Sequence, residues 1–172
     1  MKLKSIIILI LIVIIAFFCY HTTQKNEYIR DIKKVLDYVN DGIYDQTIIS
    51  LFKDKEFTQA ETLAILNYDK NPEDFISCID LLDYVSHYKY DSNQIVNKSS
   101  KHTLSVKYTV QVEIGNDTKI YNLSIFFDKE FYCFGIPRGY TSENPNHSNI
   151  IFYKISDEKM HRLAENLFEM KK

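Results

Sequence analysis

The sequence of 172 residues contains no tryptophan and few residues that bend a chain, with four glycines and three prolines. So little glycine and proline excludes a collagen-like chain or a long flexible linker. An excess of basic residues is lacking too, because 21 lysines and arginines against 23 acidic residues give a net charge of −2. We therefore expect no nucleic-acid partner. What is present is a hydrophobic content of 45%, which excludes a mostly disordered chain and suffices for the core of one domain.

The signatures of common enzyme classes are absent as well. The sequence has no Gly-x-Ser-x-Gly, no phosphate-binding glycine-rich loop and no His-Glu-x-x-His. The five histidines lie scattered, without the spacing of metal ligands, at His21, His87, His102, His147 and His161. We therefore predict no catalytic residue, no metal site and no cofactor, and a protein that acts by binding.

One hydrophobic run dominates the start of the chain. Residues 6–20 carry no charge and follow Lys2 and Lys4. As a helix these fifteen residues reach about 22 Å, whereas the hydrocarbon core of a membrane is about 30 Å thick. Two phenylalanines precede Cys19 where a processing site needs small residues, so the sequence favours an uncleaved membrane anchor. A cleaved signal peptide and lipidation of Cys19 stay open as alternatives.

The predicted organisation is an anchor over residues 1–20, a tether over 21–27 and a single α+β domain over 28–172. The lysines at the start predict a cytoplasmic N-terminus and an outward-facing domain, periplasmic or extracellular, on the cell membrane. Cleavage of the leader would instead give a secreted protein. The excess of isoleucine, lysine and asparagine over alanine and glycine is typical of an AT-rich bacterial genome.

Helical spacing of apolar residues first occurs from Tyr28 to Asn40. Asp45 and Thr58 are interpreted as caps of two short helices that follow. The run 71–74, Asn-Pro-Glu-Asp, is a strong start for a fourth helix. Ser156 is predicted to cap a last helix near the end of the chain.

The period changes to alternation after the fourth helix. Apolar and polar residues alternate without error from 103 to 114, which predicts a half-buried strand. A two-residue loop at Asn116-Asp117 pairs Val112 with Tyr121 and places the apolar residues of both strands on one face.

A third strand is predicted to place Tyr132, Phe134 and Ile136 on the same face. Short strands are also predicted within 90–97 and over 150–155. The predicted fold class is therefore α+β, with helices packed on a curved antiparallel sheet that contains a three-stranded meander, followed by a C-terminal helix.

Two segments resemble the nuclear transport factor 2-like superfamily in its small exported bacterial members. Residues 39–45, Val-Asn-Asp-Gly-Ile-Tyr-Asp, resemble a helix corner, and residues 127–136 resemble the terminal hairpin. Those members carry a tryptophan in that hairpin, where Phe131 or Tyr132 stands here. The resemblance covers about residues 28–136 and implies a cone of helices on a bent sheet. Superfamily members include isomerases, ligand binders and inert scaffolds, so the resemblance implies no single function.

Three tyrosines are predicted to lie on the apolar face of the sheet, where they are candidates for lining an apolar ligand pocket: Tyr108, Tyr121 and Tyr132. No carboxylate shares their parity, so a general base is missing from this face. A ligand-binding or isomerase-like cone is therefore the alternative function.

The polar segment 137–149 is long for a loop and is predicted to contact a protein partner. Its candidate residues are Arg138, Tyr140, Glu143 and His147. The main predicted function is an interaction module without catalysis, bound to another envelope protein, a toxin or a secretion scaffold.

Cys78 and Cys133 are the two thiols beyond the apolar run. An oxidising compartment permits a disulfide between them, but Cys133 has the parity opposite to the core residues Phe134 and Ile136. Both a disulfide and separate thiols stay open.

Overall fold

A computed structural model of the protein describes residues 3–44, 46–55, 59–97, 106–116, 119–138 and 149–169. Within these ranges the fold is α+β, with four helices, the last near the C-terminus, and seven strands in one antiparallel sheet. The helices are α1 (Leu3–Asn40), α2 (Pro72–His87), α3 (Glu158–Glu169) and a short 3₁₀ helix (Ser92–Gln94). The strands are β1 (Thr47–Lys55), β2 (Gln59–Leu66), β3 (Ile95–Asn97), β4 (Tyr108–Asn116), β5 (Lys119–Phe127), β6 (Cys133–Arg138) and β7 (Asn149–Lys154).

The sheet has the strand order β2-β1-β4-β5-β6-β7-β3. Strands β4, β5 and β6 form the predicted meander, and β7 and β3 confirm the two short strands predicted beside it. Helices α1, α2 and α3 pack against one face, where Ile32, Leu82 and Leu167 join Val110 and Leu123 of the sheet in the main core. The sheet thus carries its helices on the face that the alternating pattern predicts.

Helix α1 is a single helix of 38 residues. Its second half confirms the helix predicted from Tyr28, and the predicted tether, residues 21–27, lies within it. The helix ends at Asn40, and two residues beyond it Gly42 has a φ of +80° and donates its amide to the carbonyl of Val39 at 3.0 Å. The helical spacing of the sequence ends at the same residue, and a glycine just after it adopts the left-handed conformation without strain.

The two short helices predicted after Asp45 and Thr58 are wrong, because these segments are strands β1 and β2. Strand β1 lies between β2 and β4 in the sheet. Its side chains alternate between the two faces, because Ile49 and Leu51 are buried while Ile48 is 48% exposed, as the two-residue period of a strand requires. Pairing on both sides of β1 stabilises the strand regardless of its local helical spacing.

The predicted hairpin register is wrong by two residues, although the face is right. Val112 pairs with Leu123 rather than with Tyr121, and Asn116 pairs with Lys119, so the two-residue connection is 117–118. A shift of the loop by one residue moves the register by two, and residues of one parity therefore stay on one face. The strand begins at Tyr108, later than predicted, and the first residues of the predicted run lie outside the described residues.

The last helix is confirmed, but its predicted cap is wrong by one residue. Asp157, not Ser156, accepts hydrogen bonds at its Oδ1 from the amides of Lys159 at 2.8 Å and Met160 at 3.2 Å. An aspartate at this position also places a negative charge at the positive end of the helix.

The membrane anchor predicted over residues 6–20 is wrong. Among the residues that the structure describes, no helix has an apolar stretch long enough to cross a membrane. The predicted position on the cell membrane, with a cytoplasmic N-terminus and an outward-facing domain, falls with it. The physical reason is length, because the uncharged run of about 22 Å falls short of a hydrocarbon core of about 30 Å.

Candidate functional site

Among the described residues, the longest exposed apolar surface is residues 6–20 in the first half of α1, which we call the apolar segment. Every residue in it is exposed, and its large side chains range from 40% exposure at Ile6 to 65% at Phe18. Fifteen mostly large apolar residues at roughly half exposure present on the order of 1,000 Å² of apolar surface. The largest apolar patch on a typical monomer is about 300–600 Å², and patches above that size usually mark interaction sites.

The second half of α1 fastens this segment to the domain. Tyr28, Ile32 and Val35 are fully buried, and the hydroxyl of Tyr28 donates to the carbonyl of Ser124 in β5 at 2.6 Å. Because the helix is continuous, burial of its second half fixes the direction in which the apolar segment leaves the domain. The apolar segment is thus displayed by the fold rather than packed into its core.

Sequence reasoning missed a buried carboxylate on the same helix. Asp31 is fully buried, and its Oδ1 lies 3.6 Å from Nε of Arg30. A second nitrogen of the same arginine, Nη2, lies 3.6 Å from Oε1 of Glu27. The available signal was position, since Asp31 follows Tyr28 by three residues and therefore shares its face of the helix. The inward side of α1 thus carries an acid, although the inward face of the strands was predicted to carry none.

The three predicted pocket tyrosines do not converge. The Tyr108 ring is buried and stacks on Phe131 at a centroid distance of 4.9 Å. Tyr121 lies opposite Ile114, which follows Tyr108 by six residues along β4. The two tyrosines are therefore separated by about 20 Å along the strand direction. The prediction that Tyr132 faces the core is wrong, because its side chain is 62% exposed.

A turn between β5 and β6 explains the outward position of Tyr132. Phe131 adopts a φ of +56°, which is costly for a residue with a side chain, and its buried ring takes the inward place. Asp128 fixes the turn, because its Oδ1 accepts the amide of Cys133 at 2.8 Å. The exposed Tyr132 ring contacts the ring of His161, with 5.7 Å between the two ring centroids.

A cluster of tyrosines near the end of α2 was also missed. The hydroxyl of Tyr90 donates to the carbonyl of Val85 at 2.8 Å, and that of Tyr88 to the carbonyl of Lys154 at 2.7 Å. Burial raises the pKa of Tyr90, and it raises the pKa of Tyr153 to about 12. These hydroxyls are neutral near neutral pH and two of them are used to hold backbone, so they do not supply a base.

Cys78 and Cys133 lie in separate apolar clusters and form no disulfide. Cys78 belongs to the main core, whereas Cys133 packs with Phe126 and Phe152 on the other face of the sheet. Burial, and then the charge of Asp128, raise the pKa of Cys133 to about 11. Cys133 is therefore a protonated, buried thiol near neutral pH.

The predicted partner loop lies almost wholly outside the described residues. Arg138 is the last residue of β6 and pairs with Asn149 of β7. Tyr140, Glu143 and His147 lie outside the described ranges, so the loop stays a prediction.

A surface pocket of about 320 Å³ lies along α3. It is lined by Glu158, Lys159, Arg162, Leu163 and Asn166, and so by none of the three predicted pocket tyrosines. Two of these lining residues, Arg162 and Glu158, form an ion pair one turn apart on α3. In the described part of the chain, no histidines, cysteines and carboxylates group together as metal ligands would.

No protein-family model, curated protein or solved structure matches this chain. The resemblance to the nuclear transport factor 2-like superfamily therefore stays a prediction.

Proposed function

We propose that the protein is an interaction module without catalytic activity, and that the apolar segment is the part that joins it to a protein partner. The observation that carries this proposal is the exposure of residues 6–20 on a helix whose second half is buried in the domain. A helix displayed in this way matches the mode in which an apolar helical face enters a groove on another protein.

The chemistry of the apolar segment restricts the partner. Residues 6–20 contain no charged side chain, so charge pairing contributes nothing to recognition along their length. Burying a large aliphatic side chain contributes about 1.5–3 kcal/mol, so a few contacts at Ile8, Ile12 and Ile15 support a stable complex. The partner surface that fits is apolar, elongated and about four helical turns long.

A photo-reactive residue placed at Leu11 of the full chain, produced in the cells that naturally make the protein, tests this proposal. The matched control places the same residue at Ile120 of β5, which is 69% exposed but lies outside the apolar segment. We expect illumination to give a polypeptide adduct of discrete mass from position 11 and none from position 120.

Equal adducts from both positions, or none from position 11, would contradict the proposal. Mass spectrometry of the adduct identifies the polypeptide on the other side of the contact.

A further inference from the structure

We infer that the apolar segment associates with the apolar segment of a second copy of this chain, so that the protein forms a small oligomer through helix α1. The inference rests on the proposed function and names the partner of the same site. Three observations support the inference. They are the size of the exposed apolar surface, the distribution of apolar residues around the helix, and the charged residues at which the apolar surface ends.

The exposed area matches what a stable interface buries. A specific interface removes about 800 Å² of surface from each partner, and the apolar segment offers on the order of 1,000 Å². This surface is uncharged and mostly aliphatic, so one apolar segment complements another without a dedicated groove. A symmetric contact of this kind is the usual geometry of homo-oligomers.

The distribution of apolar residues favours more than two copies. Exposed isoleucine or valine stands on different sides of the helix, for example at Ile8, Ile10 and Val13. One neighbouring helix covers only one side, and further copies cover the others. Isoleucine at both kinds of core position in a helical bundle also favours about three or four strands over two.

The charges on the second half of α1 set the limit of the contact. Arg30, Lys33 and Asp37 are exposed on the side of the helix that faces away from the core. Burying charged groups in an apolar contact opposes association, so the contact ends with the apolar segment. This limit gives the assembly a defined length rather than an open stack.

Sedimentation equilibrium of the purified full chain tests the inference. We expect one species of about three or four copies. The double variant Ile8→Glu, Ile12→Glu should sediment as a single copy, because each glutamate would have to be buried in an apolar contact. The matched control Ile65→Glu, Ile120→Glu changes the net charge equally at exposed positions of the sheet and should keep the oligomer.

A wild-type chain that sediments as one copy, or as aggregates without a fixed mass, would overturn the inference. So would an oligomer that survives the double glutamate variant. If the chain sediments as one copy while position 11 still cross-links to a different polypeptide, the second copy is excluded and the proposed function stands.

Discussion

The hydroxyl of Tyr28 in α1 donates to the backbone carbonyl of Ser124 in β5 at 2.6 Å, and both residues are buried. This hydrogen bond joins parts of the chain 96 residues apart and fastens the base of the displayed helix to the sheet. We expect Tyr28→Phe to lower the free energy of unfolding by about 1–2 kcal/mol, because it removes a buried hydrogen bond and keeps the ring. Urea unfolding followed by circular dichroism measures the change.

The control for this variant is Tyr132→Phe, which removes a hydroxyl from an exposed ring. It should change the free energy of unfolding by less than about 0.5 kcal/mol. Equal losses for the two variants would show that the Tyr28 hydrogen bond does not hold α1.

Neighbouring aromatic residues at the β5–β6 turn should differ sharply in their contribution to stability. Phe131 is buried and lies 5.8 Å from the Phe168 ring, whereas Tyr132 is exposed. We expect Phe131→Ala to lower the free energy of unfolding by about 3–5 kcal/mol. Tyr132→Ala should lower it by less than about 0.5 kcal/mol. Chemical unfolding of the two variants decides the point, and a larger loss for Tyr132→Ala would contradict the described turn.

Gly135 is required because two side chains pack over its backbone. A Cβ there would meet Cγ2 of Ile150 and lie 3.0 Å from Cε1 of Phe152. We expect Gly135→Ala to lower the free energy of unfolding by about 1–3 kcal/mol through overpacking. In an Ile150→Ala background the loss should shrink, because the first clash is gone. Thermal unfolding of the two single variants and the double variant measures this coupling, and simple additivity would count against it.

The three cysteines should react with iodoacetamide at different rates. Cys19 is exposed, whereas Cys78 and Cys133 are buried. The pKa of Cys133 is raised to about 11 from 9.0, so its reactive thiolate is scarce at pH 8 and increases only as the pH rises towards 11. Peptide mass spectrometry after brief alkylation at pH 8 of the Ile8→Glu, Ile12→Glu variant, in which other copies should not cover the apolar segment, should find the label at Cys19. Labelling of Cys133 at the same rate would contradict the described burial.

The sequence predicted the parts of the fold in which local pattern and tertiary packing agree. Alternation around Val110 and Val112 gave β4 its correct face, and Asn71 with Pro72 gave the start of α2. At Ile48 and Ile49 the local spacing is helical, but pairing on both sides makes the segment a strand. Single-sequence patterns do not contain that pairing, so β1 and β2 could not be obtained from them.

The site was less predictable than the fold. Regular alternation of side chains along β6 predicted that Tyr132 faces the core. The positive φ at Phe131 instead turns the Phe131 ring inward and leaves Tyr132 exposed. The sequence identifies the hydrophobic run 6–20, but the missing processing site before Cys19 wrongly favoured a membrane anchor over what its short length indicates. Its exposure depends on where the domain begins to cover α1, near Tyr28, which is a property of the packed structure.

The most direct test of the central claim is the yield of the position-11 photo-adduct in two charged backgrounds. If the apolar segment is the binding element, Ile12→Asp should abolish the adduct, because the new charge would have to enter an apolar contact. Ile120→Asp, which adds the same charge at an exposed position of β5, should leave the yield unchanged. An adduct that survives Ile12→Asp, or is lost equally in both variants, would contradict a binding role for residues 6–20.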